Sequence, residues 1–289
     1  MTTGTKKDLK VIGNSGTAFG RYLNTYLRCE HGCKYCYGMK THYMNDYEEW
    51  IQPQIKKNFL ADMAKDMQII KKDNIIINDM FVSSTTDCYQ PLELELGLTR
   101  SAIEMLVENG LPFTVLTKSK NVLRDIDLFK GYDNCRVGFT VITLDDEFRK
   151  KLEPNASSIE DRIEGFKVLK DAGISTYCSV EPIMPCEESN PIQIIEKLKP
   201  YVDLFEFGKW NPKTYVDKGL VREATGLEHD KDFYADMFPK LIAYCEKNDV
   251  TYCIASHSAD FLRGLGIKFI PPQLITDTYP NPNDESAKA

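Results

Sequence analysis

The sequence has no uninterrupted apolar stretch near the ~20 residues that a membrane-crossing helix requires. Its first residues, Met1 to Lys10, are polar and basic and lack the apolar segment of a secretion signal. Both absences predict a cytoplasmic protein with no membrane partner. A basic surplus is missing too: 36 Lys and Arg face 43 Asp and Glu, for a formal charge of −7. Duplex-binding domains are usually basic, so the bulk charge gives nucleic acid no support as a partner. Lysine pairs such as Lys6-Lys7, Lys56-Lys57 and Lys71-Lys72 offer material for a local patch, although such pairs more often line a solvated helix face. No repeat or low-complexity linker breaks the chain.

Cysteine is present in an odd number, nine, at irregular spacings, which in a reducing compartment does not read as a disulfide framework. Six of them (Cys88, Cys135, Cys178, Cys186, Cys245 and Cys253) read as buried small hydrophobes. The other three lie close together in Arg28-Cys29-Glu30-His31-Gly32-Cys33-Lys34-Tyr35-Cys36-Tyr37, with three residues and then two between them. Thiolates are soft ligands that suit iron–sulfur clusters and zinc. A closed structural site needs a fourth ligand nearby, and the next cysteine is Cys88. One metal position is therefore left open for a substrate or cofactor. The competing reading is a zinc ion that recruits His31, although His31 stands close to both neighbouring cysteines for one tetrahedral site.

Hydrophobic residues make up 42% of the 289 positions, enough for a sizeable core. Phe19 to Leu27 reads as a first strand delivering the cysteine loop. A helical pattern follows over residues 46–70, with Ile55, Phe59, Leu60, Met63 and Met67 on one face and Pro53 in its first turn. Asn74 to Ser83 reads as a second, buried strand. Further strands are expected at Phe113–Thr117, Val137–Ile142, Ile174–Glu181 and Leu204–Phe207. The intervening helices span Thr99–Asn109, Asn121–Phe129, a segment opened by a Ser157/Glu160 capping box and closed by Gly173, and Ile192–Leu198. This alternation predicts an α/β fold with a parallel sheet and helices outside. The pattern alone does not separate a barrel from an open doubly wound sheet. Residues 1–18 read as an arm, 19–247 as one catalytic domain and 248–289 as a C-terminal extension. In that extension Thr251–Ile254 adds a possible strand, and 278–289 reads as a disordered tail.

The Cys-x3-Cys-x2-Cys stretch, with Tyr35 just before its last cysteine, resembles the signature of the radical S-adenosylmethionine enzymes. The wider run from Asn24 to Tyr37 resembles the spore photoproduct lyase branch of that family, as do Thr86-Asp87-Cys88-Tyr89-Gln90-Pro91, Leu116-Thr117-Lys118-Ser119 and Leu152-Glu153-Pro154-Asn155. The resemblance implies a partial (β/α)6 TIM-type barrel whose open side admits large substrates. It also implies a [4Fe–4S] cluster on Cys29, Cys33 and Cys36, with S-adenosylmethionine on the fourth iron. A one-electron donor of flavodoxin or ferredoxin type starts the reaction, and a 5′-deoxyadenosyl radical abstracts hydrogen from a substrate.

Reactive groups of parallel barrels gather at the C-terminal strand ends. After the second strand stand Ser84, Thr86 and Asp87, in place of the family's frequent Gly-Gly-Glu, as acceptors for the cofactor's ammonium; a ligand-free Ser/Thr turn is the plain alternative. Lys118 is a candidate to pair with the cofactor's carboxylate or an ordinary exposed lysine, Thr140 a candidate ribose contact or a satisfied core threonine, and Glu181 a carboxylate that meets ribose or substrate or simply forms an ion pair. Tyr35 is a cofactor contact and, with Tyr37, matches tyrosines implicated in radical relay. The lyases use a hydrogen-donating cysteine whose place falls at or near Ser84; Cys88 is the candidate substitute. Trp210, between Lys209 and Asn211, offers a stacking face or a core side chain. His257 receives no role. A nucleic-acid lesion leads as substrate, with modification of a peptide, nucleotide or small metabolite next. A non-catalytic iron–sulfur or zinc binding protein is the rival class.

Overall fold

The computed structural model describes residues 9–14, 20–211 and 218–271. Eight strands form one sheet in chain order: β1 (Ile12–Asn14), β2 (Arg21–Leu23), β3 (Met80–Val82), β4 (Phe113–Thr117), β5 (Cys135–Thr140), β6 (Ser175–Ile183), β7 (Leu204–Lys209) and β8 (Tyr252–Ile254). All neighbours pair in parallel except β1, which runs antiparallel along β2. The sheet order begins at β1 and ends at β8 without closing on itself. The six expected strands correspond to β2–β7, and β8 extends the same parallel run.

Helices cover the outer face. Val115, Val137, Phe139, Val180 and Phe207 meet Ile103, Leu106, Phe166, Leu169 and Leu241 in the main apolar core. Strand geometry sends alternate residues the other way. On that inner face Tyr177, Leu204 and Cys253 form a separate small cluster with Phe81 and Leu116 around it. Gly138, between Arg136 and Thr140 on β5, is required there: a Cβ would stand 1.5 Å from the Tyr177 carbonyl oxygen.

Several boundaries differ from expectation for physical reasons. Asn74–Ser83 contributes only Met80–Val82 as strand, because its partner β2 is three residues long, and Ile76 is left 82% exposed. The 46–70 pattern divides into a short helix Tyr47–Trp50 and a long one Phe59–Lys72, with Pro53 in the loop between. Ser158, not Ser157, caps the helix Ile159–Asp171, accepting from the Asp161 N–H, while the Ser157 hydroxyl accepts from Lys120 N–H. Within the expected N-terminal arm, residues 12–14 are β1. Residues 1–8 and the expected tail at 278–289 lie outside the described residues. Among the described residues no helix is long and apolar enough to cross a membrane.

Candidate active site

The cysteine loop leaves β2 at the strand end and is held by the segments that follow β3 and β5. Gln90 clamps its backbone in both directions, donating to the Arg28 carbonyl at 3.0 Å and accepting from Glu30 N–H at 2.9 Å. The Glu30 carboxylate returns a contact, accepting from Leu92 N–H at 2.8 Å. From the other side, Lys34 N–H donates to the Leu152 carbonyl at 2.8 Å, and Asn155 donates to the Glu30 carbonyl at 2.8 Å. Two of the stretches that carried the family resemblance therefore act as clamps on the loop. Gly32 has φ +61, and a Cβ there would strike the Tyr47 hydroxyl at 2.6 Å.

Cys29 and Cys33 are buried and Cys36 is half-buried. Burial pushes all three thiols up. Opposing donors surround them: His31 and Asp87 N–H at Cys29, Gly38 and Met39 N–H at Cys36, and the Lys118 ammonium near Cys33. Gly38 N–H reaches the Cys36 sulfur at 3.3 Å. Backbone donors aimed at sulfur fit thiolates bound to iron, whose charge favours the deprotonated form. Among the described residues no three Cys, His, Asp or Glu side chains converge tightly enough for a single metal ion. His31, the fourth ligand of the zinc reading, instead faces Asp87, with Nδ1 3.2 Å from Oδ2.

Asp87 is more committed to the chain than expected. Its oxygens accept from Tyr89 N–H (2.9 Å), the Thr117 hydroxyl (2.6 Å) and Lys118 N–H (2.8 Å), besides facing His31. Burial alone would raise its carboxyl, but His31, Lys118 and Thr117 outweigh it and hold it well below the ordinary range. The expectation that Asp87 accepts the cofactor's ammonium thus meets a carboxylate already surrounded by donors of the protein itself. Thr86 is similarly engaged, donating to the Tyr26 carbonyl at 3.3 Å. Ser84 is half-buried past the end of β3, and its carbonyl accepts from the Tyr37 hydroxyl.

Lys118 stands past β4 with Nζ 5.8 Å from the Tyr35 ring centre. Burial would lower its pKa, but Cys33, Glu153 and Asp87 outweigh that and raise it. Tyr35 is buried and its hydroxyl donates to Glu153. Arg162 pairs with the same carboxylate at 2.5 Å and donates to the Thr140 carbonyl at 2.8 Å, which ties Tyr35 to the end of β5. Tyr37, 39% exposed, reaches out over Ser84. Cys88 is fully buried in the main core beside Tyr89, its carbonyl accepting from the Thr99 hydroxyl. Trp210 is likewise a core side chain, 2% exposed.

A polar group on the inner face escaped the sequence reading. His257 Nδ1 lies 3.3 Å from Glu181 Oε1, and its Nε2 lies 2.9 Å from the Lys209 carbonyl. Gly208 makes room for both, since a Cβ would come within 2.8 Å of Glu181 and 2.9 Å of His257. Next to them Glu206 accepts from the Tyr177 hydroxyl. Burial and the Glu181 charge push its carboxyl up to about 8, against the pull of Tyr177 and Arg136. The available signal was Glu206, a charged residue on an otherwise apolar strand; the packing of His257, from the helix Ser256–Gly264, on Glu181 had none.

Known proteins share the chain's sequence and fold. An uncharacterised protein of Methanocaldococcus jannaschii is 32% identical over 191 residues, 66% of this chain and 70% of that protein. The radical SAM Nalpha-GlyT isomerase of Pseudomonas phage M6 is 32% identical over 105 residues, 36% of this chain and 22% of that protein. The chain spans only about half, 54%, of uncharacterised Mycobacterium tuberculosis relatives at 24% identity. In fold it is similar to spore photoproduct lyase complexed with dinucleoside spore photoproduct, with a TM-score of 0.63 and 17% identity over 86% of this chain and 79% of that one. Residues 23–208, which run from the end of β2 into β7, match the Radical SAM superfamily. The chain thus belongs to the radical SAM superfamily, enzymes that work with a [4Fe–4S] cluster and S-adenosylmethionine.

Proposed function

We propose that Cys29, Cys33 and Cys36 hold the cluster by three irons and that the chain catalyses a radical rearrangement of a nucleoside-derived substrate. When bound, the cluster and S-adenosylmethionine supply a 5′-deoxyadenosyl radical; the protein supplies position, charge and exclusion of water. In this reading Lys118 binds the cofactor's carboxylate, and Thr140 and Glu181, at the ends of β5 and β6, meet ribose and substrate.

One observation carries the choice of a rearrangement. Outside the cysteine loop, no described cysteine is exposed to solvent. Cys88, Cys135, Cys178 and Cys245 belong to the main apolar core, Cys253 packs with Tyr177 and Leu204, and Cys186 lines a groove against the helix Lys231–Lys247. A reaction whose product radical takes its hydrogen from a side chain needs a donor thiol beside the substrate, whereas a rearrangement can take the hydrogen back from 5′-deoxyadenosine. The rearrangement is supported by the relative named a radical SAM isomerase, and the nucleoside class by the fold shared with a lyase complexed with a dinucleoside photoproduct.

Anaerobic reconstitution should give about four irons per chain, and dithionite with S-adenosylmethionine should give 5′-deoxyadenosine. Modified-thymidine oligonucleotides and the dinucleoside photoproduct are the substrates to compare. A rearrangement predicts an isomeric product of unchanged mass, with substrate deuterium retained in it. Reversal of the photoproduct with solvent hydrogen in the product would instead support lesion repair, and turnover of peptides alone would exclude the nucleoside class.

A further inference from the structure

Trp50 ends the short helix Tyr47–Trp50 immediately below the cysteine loop. Its side chain is fully buried, and the indole Nε1–H has no hydrogen-bond acceptor among the described residues. An unmet buried donor is costly, about 1–3 kcal/mol, and native proteins seldom carry one without a reason.

Its surroundings are those of the thiols. Trp50 shares a small apolar cluster with Cys29 and Met39, against which Cys36, Met44, Tyr47 and Ile51 pack. Its carbonyl accepts from Cys29 N–H at 3.3 Å. On the opposite side the ring lies so close to Gly38 that a Cβ there would come within 2.8 Å of Cζ2 and Cη2. Gly38 is the residue whose N–H reaches the Cys36 sulfur. The neighbouring His42 ring, with its centre 5.6 Å away, does not serve as acceptor, because its Nε2 is paired with the Thr85 hydroxyl at 3.1 Å.

The acceptor class missing from the chain is the one a cluster brings with it: sulfur carrying negative charge. We propose that Trp50 donates a hydrogen bond to a sulfur of the iron–sulfur cluster and thereby sets how easily the cluster takes an electron. The inference rests on the assignment of the cluster to Cys29, Cys33 and Cys36. Reduction adds negative charge to the sulfurs, so a donor stabilises the reduced form more than the oxidised one, and hydrogen bonds to sulfur are among the determinants of cluster potential.

Trp50→Phe keeps the ring and removes the N–H. In the reconstituted protein, a redox titration followed by electron paramagnetic resonance should show the reduction equilibrium weakened about tenfold. At ~59 mV per decade for one electron, that places the midpoint ~59 mV lower. The unmodified protein provides a second measurement that does not depend on the variant folding. Trp50 and Trp210 are the chain's two tryptophans, so [15N]indole labelling, with Trp210→Phe as control, isolates Trp50. A nitrogen hyperfine coupling to the reduced cluster that survives Trp210→Phe is the expected result. An unchanged midpoint in a loaded Trp50→Phe protein, or a loaded protein without that coupling, overturns the proposal. Failure of the unmodified protein to bind iron removes the cluster assignment itself, and the proposal with it.

Discussion

The imidazole of His31 and the carboxylate of Asp87 face each other at 3.2 Å, both almost wholly withdrawn from solvent. One belongs to the cysteine loop and the other to the segment after β3, so the contact joins two strand ends through a buried charge. Because Asp87 also accepts from Thr117 and Lys118, it links the ends of β2, β3 and β4.

Replacing Asp87 with Asn removes that charge and leaves donors without their anion. Charge-assisted hydrogen bonds are worth about 1.5–3 kcal/mol each, so urea denaturation should show a loss of at least ~2 kcal/mol. Iron bound per chain after reconstitution should fall with it. Unchanged stability and full iron content would show that the loop does not depend on this anion.

The Glu153–Arg162 pair has both side chains fully buried. Breaking such a pair from one side leaves an uncompensated charge and costs about 3–5 kcal/mol. Arg162→Met should destabilise by that amount. The double variant with Glu153→Gln should be more stable than the single one, because no buried ion is left over. If the two costs simply add in a double-mutant cycle, the pair is not coupled as described.

Glu206 gives the stability a dependence on pH with a definite sign. Its folded pKa is about 8, against ~4.3 for an unperturbed glutamate, so the folded state binds the extra proton between those values. Stability contributed by this group therefore falls as pH rises through that window and levels off above it. Glu206→Gln removes the dependence, so the variant should gain on the unmodified protein between about pH 5 and pH 8. Urea midpoints at both ends of the range test it; a stability difference that does not move with pH rules out the raised carboxyl.

At Gly38, a Cβ would stand 2.4 Å from the Thr85 carbonyl oxygen, a backbone atom with little freedom to retreat. Gly38→Ala should shift the loop and release the N–H held on the Cys36 sulfur. Iron content should drop while the far-ultraviolet circular dichroism stays near that of the unmodified protein. Normal iron loading in Gly38→Ala would mean the loop tolerates the displacement.

The parallel strands from β4 to β7 were legible because both of their faces are buried, which makes apolar runs such as Phe113–Thr117 stand out against polar connections. Short strands hid. β1 is three residues of Gly-containing sequence whose identity as a strand comes from its partner β2. The candidate site divides in the same way. The cysteine triplet announces itself by spacing, and Lys118 by its place after a clear strand. Cys88 and Asp87 read as reactive from their neighbours in sequence, yet the turn after β3 directs one into the core and surrounds the other with donors. The Glu181–His257 contact depends on packing between β6, Gly208 and a helix after β8, which no local pattern encodes.

The clamps on the cysteine loop also make its shape depend on distant parts of the chain. Glu30 and Asn155 stand 125 positions apart, and Lys34 leans on the Leu152 backbone. Contacts of that sequence separation form late, after the intervening strands have found their order. A nascent chain emerging from the ribosome presents the three thiols early but lacks the walls that shape them until residue 162 has been made and docked. The walls around the three thiols are thus complete only once the first half of the barrel is in place.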